Sequence, residues 1–372
     1  MSDQTAFELK GPDFEQVPLS GSVEEKALVL FKSVLCNTPE ERTVLSNAIH
    51  FWDLIPKYSA EHLHQKNKLP NVHERKFDFH GRCLRMTLFP GTIYRREGRT
   101  EEEQTTRRYP GAKEQAVEQA LVKLASEQAE MQEVQGQMLY RVAFSINHLR
   151  QVLKSLGSTY SHIQVKESLE ILSTSLMTVS DESEKRIQRS PILPTFECIS
   201  ESGKATNNPN SQWLVTLHPL VAHSIRHATY RQYNMTRFAG HRSYGVYLLR
   251  QMILNATNIS PAHPYTVSYT SLQNLTSGLN YSRAADGVRY LEKEIKRMKE
   301  SGCILSYERE DVFVSRRNAG RKALADARFT LYPSESLIAE VKASSKRQSL
   351  VEQSLQLKRS MRSERQMGLP LK

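Results

Sequence analysis

Residues 265–302 read YTVSYTSLQNLTSGLNYSRAADGVRYLEKEIKRMKESG, and residues 303–333 continue CILSYEREDVFVSRRNAGRKALADARFTLYP. In this stretch Ala284, Val288, Leu291, Ile295 and Met298 stand at four–three–four–three spacing, which predicts one buried face on a long helix over 282–301. Gly302 closes it. Ahead of it, Tyr265–Tyr269 reads as a strand, and Ser271–Thr276 as a short helix stopped at Gly278. Behind it, strands at Ile304–Glu308 and Arg328–Leu331 flank a basic connection. Strand, short helix, turn, long helix and hairpin in that order make a helix-turn-helix with a β-hairpin wing.

The same order stands earlier in the chain. Tyr140–Phe144 reads as a strand, Asn147–Leu156 as a helix ending at Gly157, and Ser158–Met177 as a longer helix with Val165, Leu169, Leu172 and Leu176 in one stripe. A polar stretch, Ser180–Ser190, leads to a strand over Ile192–Cys198. Upstream, Pro110–Gly111 opens a helix carrying Ala116, Val117, Ala120, Leu121 and Leu124, and its Glu/Gln-rich continuation to Gln135 reads either as more helix or as a frayed end. The Asn-, Pro- and Gly-containing ESGKATNNPNS at 201–211 reads as a linker. After it come a strand at Trp213–Leu217 and helices over His218–Tyr230 and Arg242–Ala256. The expected fold is α+β: two tandem winged-helix domains, 25–200 and 212–335. An acidic flexible lead-in (1–24) and a basic flexible tail (336–372) flank them.

Charge narrows the function class. The chain of 372 residues carries 51 Lys and Arg against 40 Asp and Glu, a formal +11. Such an excess in a chain with 39% hydrophobic residues points to a polyanion partner, nucleic acid first. Val341–Lys372 alone holds eight cations against Glu352 and Glu364, while Asp3, Glu8, Asp13, Glu15, Glu24 and Glu25 face only Lys10 at the other end. No run of eighteen apolar residues suggests a membrane span. The opening segment lacks the pattern of a secretory signal, and Cys36, Cys83, Cys198 and Cys303 form no CxxC pair. The expectation is a cytoplasmic protein that needs no metal or cofactor.

The chemistry-bearing residues fit duplex binding. Tyr281, Ser282 and Arg283 precede the second long helix, and Arg289, Lys293, Lys296 and Arg297 fall largely on its polar side. A helix about 11 Å wide enters the major groove, where Arg grips guanine O6 and N7. In the wing, Arg316, Arg317, Arg321 and Lys322 surround Asn318 and Gly320, suited to lie along phosphates. At the first long helix Ser158, Thr159, Tyr160, Ser161, His162 and Lys166 offer a weaker set. Arg226, His227, Arg231, Arg237, His241 and Arg242 interleave with Tyr230, Tyr233 and Phe238, read equally as a backbone-binding cluster or a seam of snorkelling cations. Phosphate-loop, HExxH and GxSxG signatures are missing, so the chain reads as no enzyme. His62 and His64, with Tyr230 or Tyr233 as nucleophile, carry the alternative of a strand-nicking initiator.

Three stretches, VAFSINHLRQVLKSLGSTYSHIQVKESLEILSTSLMTVS (142–180), WLVTLHPLVAHSIRHATYRQYNMTRFAGHRSYGVYLL (213–249) and 265–302, resemble the iteron-binding plasmid replication initiators of the TrfA and RepA type. The resemblance spans about Phe51 to Leu331 and rests on the order of elements and residue types. It implies a protein that binds repeated sites in a plasmid origin, promotes opening of adjacent AT-rich DNA, and recruits the host replicative helicase and initiator proteins. It further implies a monomer–dimer equilibrium and repression of the protein's own gene. Site recognition then falls on Tyr281, Ser282, Arg283, Arg289 and Lys293, with Ser158 to Lys166 in support. A winged-helix transcriptional repressor shares every one of these features and is the other reading.

Overall fold

The computed structural model describes residues 22–32, 43–58, 72–79, 81–94, 105–134, 136–181, 187–199, 211–241, 243–275, 281–315 and 322–355 as a mixed α+β chain. Helix α1 (Val23–Lys32) precedes the buried strand β1 (Leu45–Ile49) and the short helix α2 (His50–Leu54). Strands β2 (His73–Phe79) and β3 (Arg82–Leu88) form a hairpin, as do β4 (Gly91–Tyr94) and β5 (Thr105–Arg108). Helix α3 (Ala112–Gln128) begins where the Gly111 amide donates to Glu114 Oε2 at 2.8 Å, and it buries Val117, Ala120, Leu121 and Leu124. Its expected continuation is instead strand β6 (Glu130–Val134), hairpinned to β7 (Gln137–Ser145). Pairing with β7 supplies the backbone hydrogen bonds that further helix would have supplied.

Next come α4 (Ile146–Ser155) and α5 (His162–Thr174), joined through Gly157 at φ +77°, a left-handed conformation that side chains resist. Helix α5 is shorter than its apolar stripe suggests. Ser161 Oγ accepts from the Gln164 amide at 3.2 Å while Gln164 Oε1 accepts from the Ser161 amide at 2.9 Å, a capping box that fixes the start. Leu176 opens strand β8 (Leu176–Asp181), which is followed by β9 (Ile187–Pro191), β10 (Thr195–Ile199) and β11 (Gln212–Thr216). Helix α6 (Pro219–Arg226), strand β12 (Tyr230–Asn234), a 3-10 turn (Met235–Phe238) and α7 (Ser243–Leu254) lead into the last unit. That unit is β13 (Tyr265–Ser268), α8 (Tyr269–Leu275), α9 (Ala284–Glu300), β14 (Ile304–Ser315), β15 (Lys322–Pro333) and α10 (Glu335–Ser354).

Three sheets organise the described chain, in orders β2-β3-β8-β9, β10-β11-β7-β6 and β13-β15-β14, beside the pairs β1-β12 and β4-β5. In the last unit strand and hairpin share one sheet: β13 pairs with β15, and β14–β15 is a hairpin with twelve residues in each strand. The earlier unit departs from that arrangement. Its hairpin β8–β9 joins β3, whereas β7 pairs with β6 and β11, so strand and hairpin belong to different sheets. Residues 201–211 join β10 to its antiparallel neighbour β11, so the boundary expected there falls inside a sheet. The pair β1–β12 ties the N-terminal segment to residues well beyond that boundary.

The expectation of a flexible tail from 336 needs correction. Ser334 caps α10 by accepting from the Leu337 amide, and Leu337, Val341, Ser344, Arg347 and Val351 are buried as the helix packs on β12. Glu340 holds it there, accepting from the Asn234 amide at 3.0 Å and pairing with Arg347 at 3.7 Å. Apolar spacing won over the charge of the segment. Residues 356–372 and the lead-in 1–21 lie outside the described residues.

Polar groups sit at the centre of the core. Asp53 and Arg250 pair at 3.1 Å with side chains 6% and 4% exposed, and Asp53 Oδ2 also accepts from the Ile49 amide at 2.7 Å. Beside them Lys57 donates to the Trp52 carbonyl at 2.7 Å and pairs with Glu118 at 3.5 Å, while Trp52 Nε1 donates to Glu118 Oε1 at 2.6 Å. Desolvation lowers the Lys57 pKa against the pull of Glu118 and Asp53. These contacts join α2, α3 and α7 through charges that water no longer solvates, so each one depends on its partner. No described helix is long and apolar enough to cross a membrane.

Candidate nucleic-acid interface

Helix α9 owes its orientation to a strict division of faces. Val288, Leu291, Ile295 and Met298 are fully buried, each contributing on the order of 2 kcal/mol over exposure. Gly287 lies against the Tyr269 ring, where a Cβ would collide with the phenol, so the ring from α8 packs directly on the backbone of α9. The opposite face carries Arg289, Lys293, Lys296 and Lys299, all exposed. Arg289 is 79% exposed and lies 3.5 Å from Asp286, a loose surface pair that contributes little. Arg297, expected on this face, is half-buried and bonded to the buried Glu294.

The second carboxylate of α9 is used by the wing. Glu292 accepts from Tyr307 Oη at 2.9 Å and from Arg309 at 2.7 Å, and Lys296 lies 3.6 Å away. Partial burial pushes the Glu292 carboxyl up, but the bonds from Tyr307 and Arg309 outweigh it and hold the group below its ordinary value. Arg309 in turn donates to Asp311 at 2.7 and 3.1 Å. The hairpin β14–β15 is thereby keyed to the helix, and neither Glu292 nor Glu294 is left to neutralise Arg289 and Lys293.

At the start of α9, Tyr281, Ser282 and Arg283 are all exposed. Tyr281 stacks loosely on Tyr290 (6.0 Å), which meets Tyr244 of α7 edge-on at 5.5 Å. Arg283 is the N-cap residue and makes no side-chain cap bond, so the first amides of the helix point outward with their positive dipole end. The structure therefore brings Tyr281, Ser282, Arg283, Arg289 and Lys293 onto one side. Arg316, Arg317 and Arg321 lie outside the described residues, and Lys322 opens β15.

The first set is used more for structure. Ser161 is consumed in the capping box, the Tyr160 carbonyl accepts from Arg150 Nε at 2.9 Å, and Lys166 Nζ sits 5.9 Å over the Trp213 ring. Burial, then Lys166 and Arg150, push His162 below the usual imidazole value. Thr159 and Ile163 remain outward, Ile163 at 68% exposure, and sequence patterning had not singled out Ile163. Ser158 and Tyr160 line a cavity of about 200 Å³ shared with Gln115, Tyr233 and His241. His241 also reaches Ser301 at the end of α9 (3.0 Å), and Ala239 touches the turn at Gly157, so one short segment contacts both units.

The cluster between the units is a seam. Tyr230, Tyr233 and Phe238 are buried, Arg231 bonds Ser345 at 3.1 Å, and Arg237 bonds the Ser336 carbonyl at 2.9 Å. Burial holds the Tyr230 and Tyr233 phenols well above their ordinary pKa, which removes both as nucleophiles reachable by a DNA strand. His62, His64 and Arg242 lie outside the described residues. Cys83, Cys198 and Cys303 form no disulfide among the described residues.

With that geometry in place, comparison finds a loose structural likeness. The chain is similar to domains 2 and 3 of RctB. The selenomethionine crystal structure of those domains matches at TM-score 0.45 and 10% identity, covering 77% of this chain and 98% of that one. A second crystal structure, RctB residues 155–483, matches at TM-score 0.43 and 9% identity, over 77% and 99%. The likeness to RctB extends to the arrangement of elements alone. No family model matches the chain, and no curated protein does.

Proposed function

We propose that this protein is a replication initiator that binds duplex DNA at repeated origin sites, with helix α9 and the hairpin β14–β15 acting as a winged-helix unit that supplies most of the sequence recognition. The observation that carries the reading is the outward face of α9, with Arg283 at its uncapped start and Arg289 and Lys293 along it, beside a hairpin keyed to the helix by Glu292. In the major groove Arg289 is placed for a base edge and Lys293 and Ser282 for phosphates. The tip residues Arg316, Arg317, Arg321 and Lys322 contact the backbone. Ser158, Thr159, Tyr160, Ser161, His162 and Lys166 give the first unit a supporting role.

On this reading the protein serves a plasmid origin made of iterons, opens adjacent AT-rich DNA, recruits the host replicative helicase and initiator proteins, and represses its own gene. It acts in the cytoplasm as a monomer–dimer mixture, with no catalytic step and no cofactor. Binding draws on counterion release, and opening on the difference between contacts to deformed and plain duplex. The test is a titration of the full chain against a duplex carrying its origin repeats and a shuffled duplex of equal length. Preference for the repeats by a factor of about a thousand or more supports the reading. Equal affinity for the two would remove it.

A further inference from the structure

The cavity of about 200 Å³ lies where the turn between α4 and α5 meets the segment leading into the last unit, and duplex binding does not use it. Helix α3 forms one wall, the turn after α4 a second, and the stretch from β12 to the start of α7 a third. A cavity of about 150 Å³ takes a benzene ring, so this one has room for one or two fused rings. Its apolar lining includes Leu156, Met235 and Phe238, which suit the face of a flat ring. The same walls tie the units together. Ala239 touches the turn at Gly157, and His241 Nε2 lies 3.0 Å from Ser301 Oγ at the end of α9.

The polar lining selects the occupant. No Asp, Glu, Lys or Arg is among the described residues around the cavity; its polar groups come from Gln115, Gln119, Ser158, Tyr160, Tyr233 and His241. Burial, then the charge of Arg297, holds the His241 imidazole below its ordinary value, and burial keeps the Tyr160 and Tyr233 phenols protonated. A phosphate or carboxylate drawn inside would lose its hydration and meet no counter-charge. The two glutamines supply what a neutral heterocycle needs, since a side-chain amide sets a donor beside an acceptor and matches a base edge with two hydrogen bonds. Gln115 is buried, and Gln119 Nε2 is a buried donor with no hydrogen-bond partner among the described residues. We propose that this cavity is a binding site for an uncharged nitrogen heterocycle of nucleobase size, held by the amides of Gln115 and Gln119. Its occupant touches Leu156, Ser158 and Tyr160 on one side and Met235, Phe238 and His241 on the other, and so clamps the turn at Gly157 to the segment that reaches α9.

The test needs no DNA, so its outcome is independent of the replication reading. The probes are adenine and urate, two purines of similar size of which only urate is charged at neutral pH. Calorimetric titration of the full chain should give adenine a dissociation constant between about 10 µM and 1 mM, with urate weaker by about tenfold or more. Hydrogen exchange at the amides of 157–160 and 239–241 should slow when adenine is bound. Gln119→Leu keeps the volume and removes the idle donor. Adenine affinity should then fall by about tenfold or more while the thermal midpoint holds or rises, because an unpaired buried group is gone. A glutamine with a merely structural role would do the reverse, losing stability and keeping the affinity. Ala116→Leu fills the space from α3 and should abolish binding. A wild-type chain that takes up no adenine, urate bound as tightly as adenine, or a Gln119→Leu chain that binds adenine like wild type would overturn the proposal.

Discussion

Arg309 donates to Glu292 at 2.7 Å, and this contact sets the angle between the hairpin and helix α9. On the proposed reading neither residue contacts DNA, and both fix how helix α9 and the hairpin present themselves to it. Glu292→Gln keeps the shape but weakens the bonds from Arg309 and Tyr307. Because the site is partly exposed, unfolding stability should fall by only about 1 kcal/mol in denaturant titration. Affinity for the repeated duplex should drop several-fold with an unchanged salt slope, since no phosphate contact is removed. Unaltered affinity would mean that the wing needs no anchoring.

Arg289 and the wing arginines should separate by salt. Arg289→Ala is expected to cost ~1–3 kcal/mol on the repeat duplex and to relax preference at one base position. Removing Arg316 and Arg317 together should weaken repeat and shuffled DNA alike and reduce the salt slope by about two. Equal losses on both duplexes for Arg289→Ala would reassign it to phosphate.

Gly287 tests the seating of α9. An alanine there gains helix propensity worth about 1 kcal/mol, but its methyl falls within the Tyr269 ring, which is 1% exposed. The collision should dominate, leaving a net loss of about 1–3 kcal/mol in equilibrium unfolding. A more stable variant would show that the Tyr269 ring does not pack against the backbone at Gly287.

His218 provides a pH test of the core. Its Nδ1 accepts from the Leu220 amide at 3.1 Å and its ring stacks on Trp52 at 4.4 Å, so the neutral form is required. Burial, then the nearby Lys57, push its pKa down to about 3. The unfolded chain takes up that proton near pH 6.5, so the stability contributed by the neutral ring is complete above that value and is lost as the pH falls toward 3. His218→Asn retains a capping acceptor without a titrating ring. Between about pH 6 and 4.5 the gap between wild type and variant should narrow by about 1 kcal/mol per unit in chemical denaturation. A gap independent of pH would place His218 in contact with water.

Much of the second unit was legible in the sequence because its signals are local. The four–three–four–three stripe of α9 and the strand and short helix preceding it each fall within one short window, while the turn expected at Gly278 lies outside the described residues. The start of α5 was misread by propensity alone, since Ser161 and Gln164 cap each other and override the stripe on either side. Helix α10 was hidden by charge, although Leu337, Val341, Ser344 and Val351 already carried helical spacing. The pairing of β1 with β12, and the meeting of Asp53 with Arg250 and Lys57 with Glu118, bring together residues from distant segments. No local pattern announces such contacts. The exposed cations of α9 were foreseeable as a face, but only packing shows that Arg297 leaves it while Arg289 and Lys293 remain.

The central claim is that this chain grips repeated sites and opens the DNA beside them. A footprint of the full chain on its origin DNA, run at two salt concentrations with permanganate probing for unpaired thymines, tests it most directly. The account predicts evenly spaced protections that weaken with salt, next to permanganate-reactive thymines in AT-rich sequence. A single protected palindrome without reactive thymines would contradict it and leave a repressor.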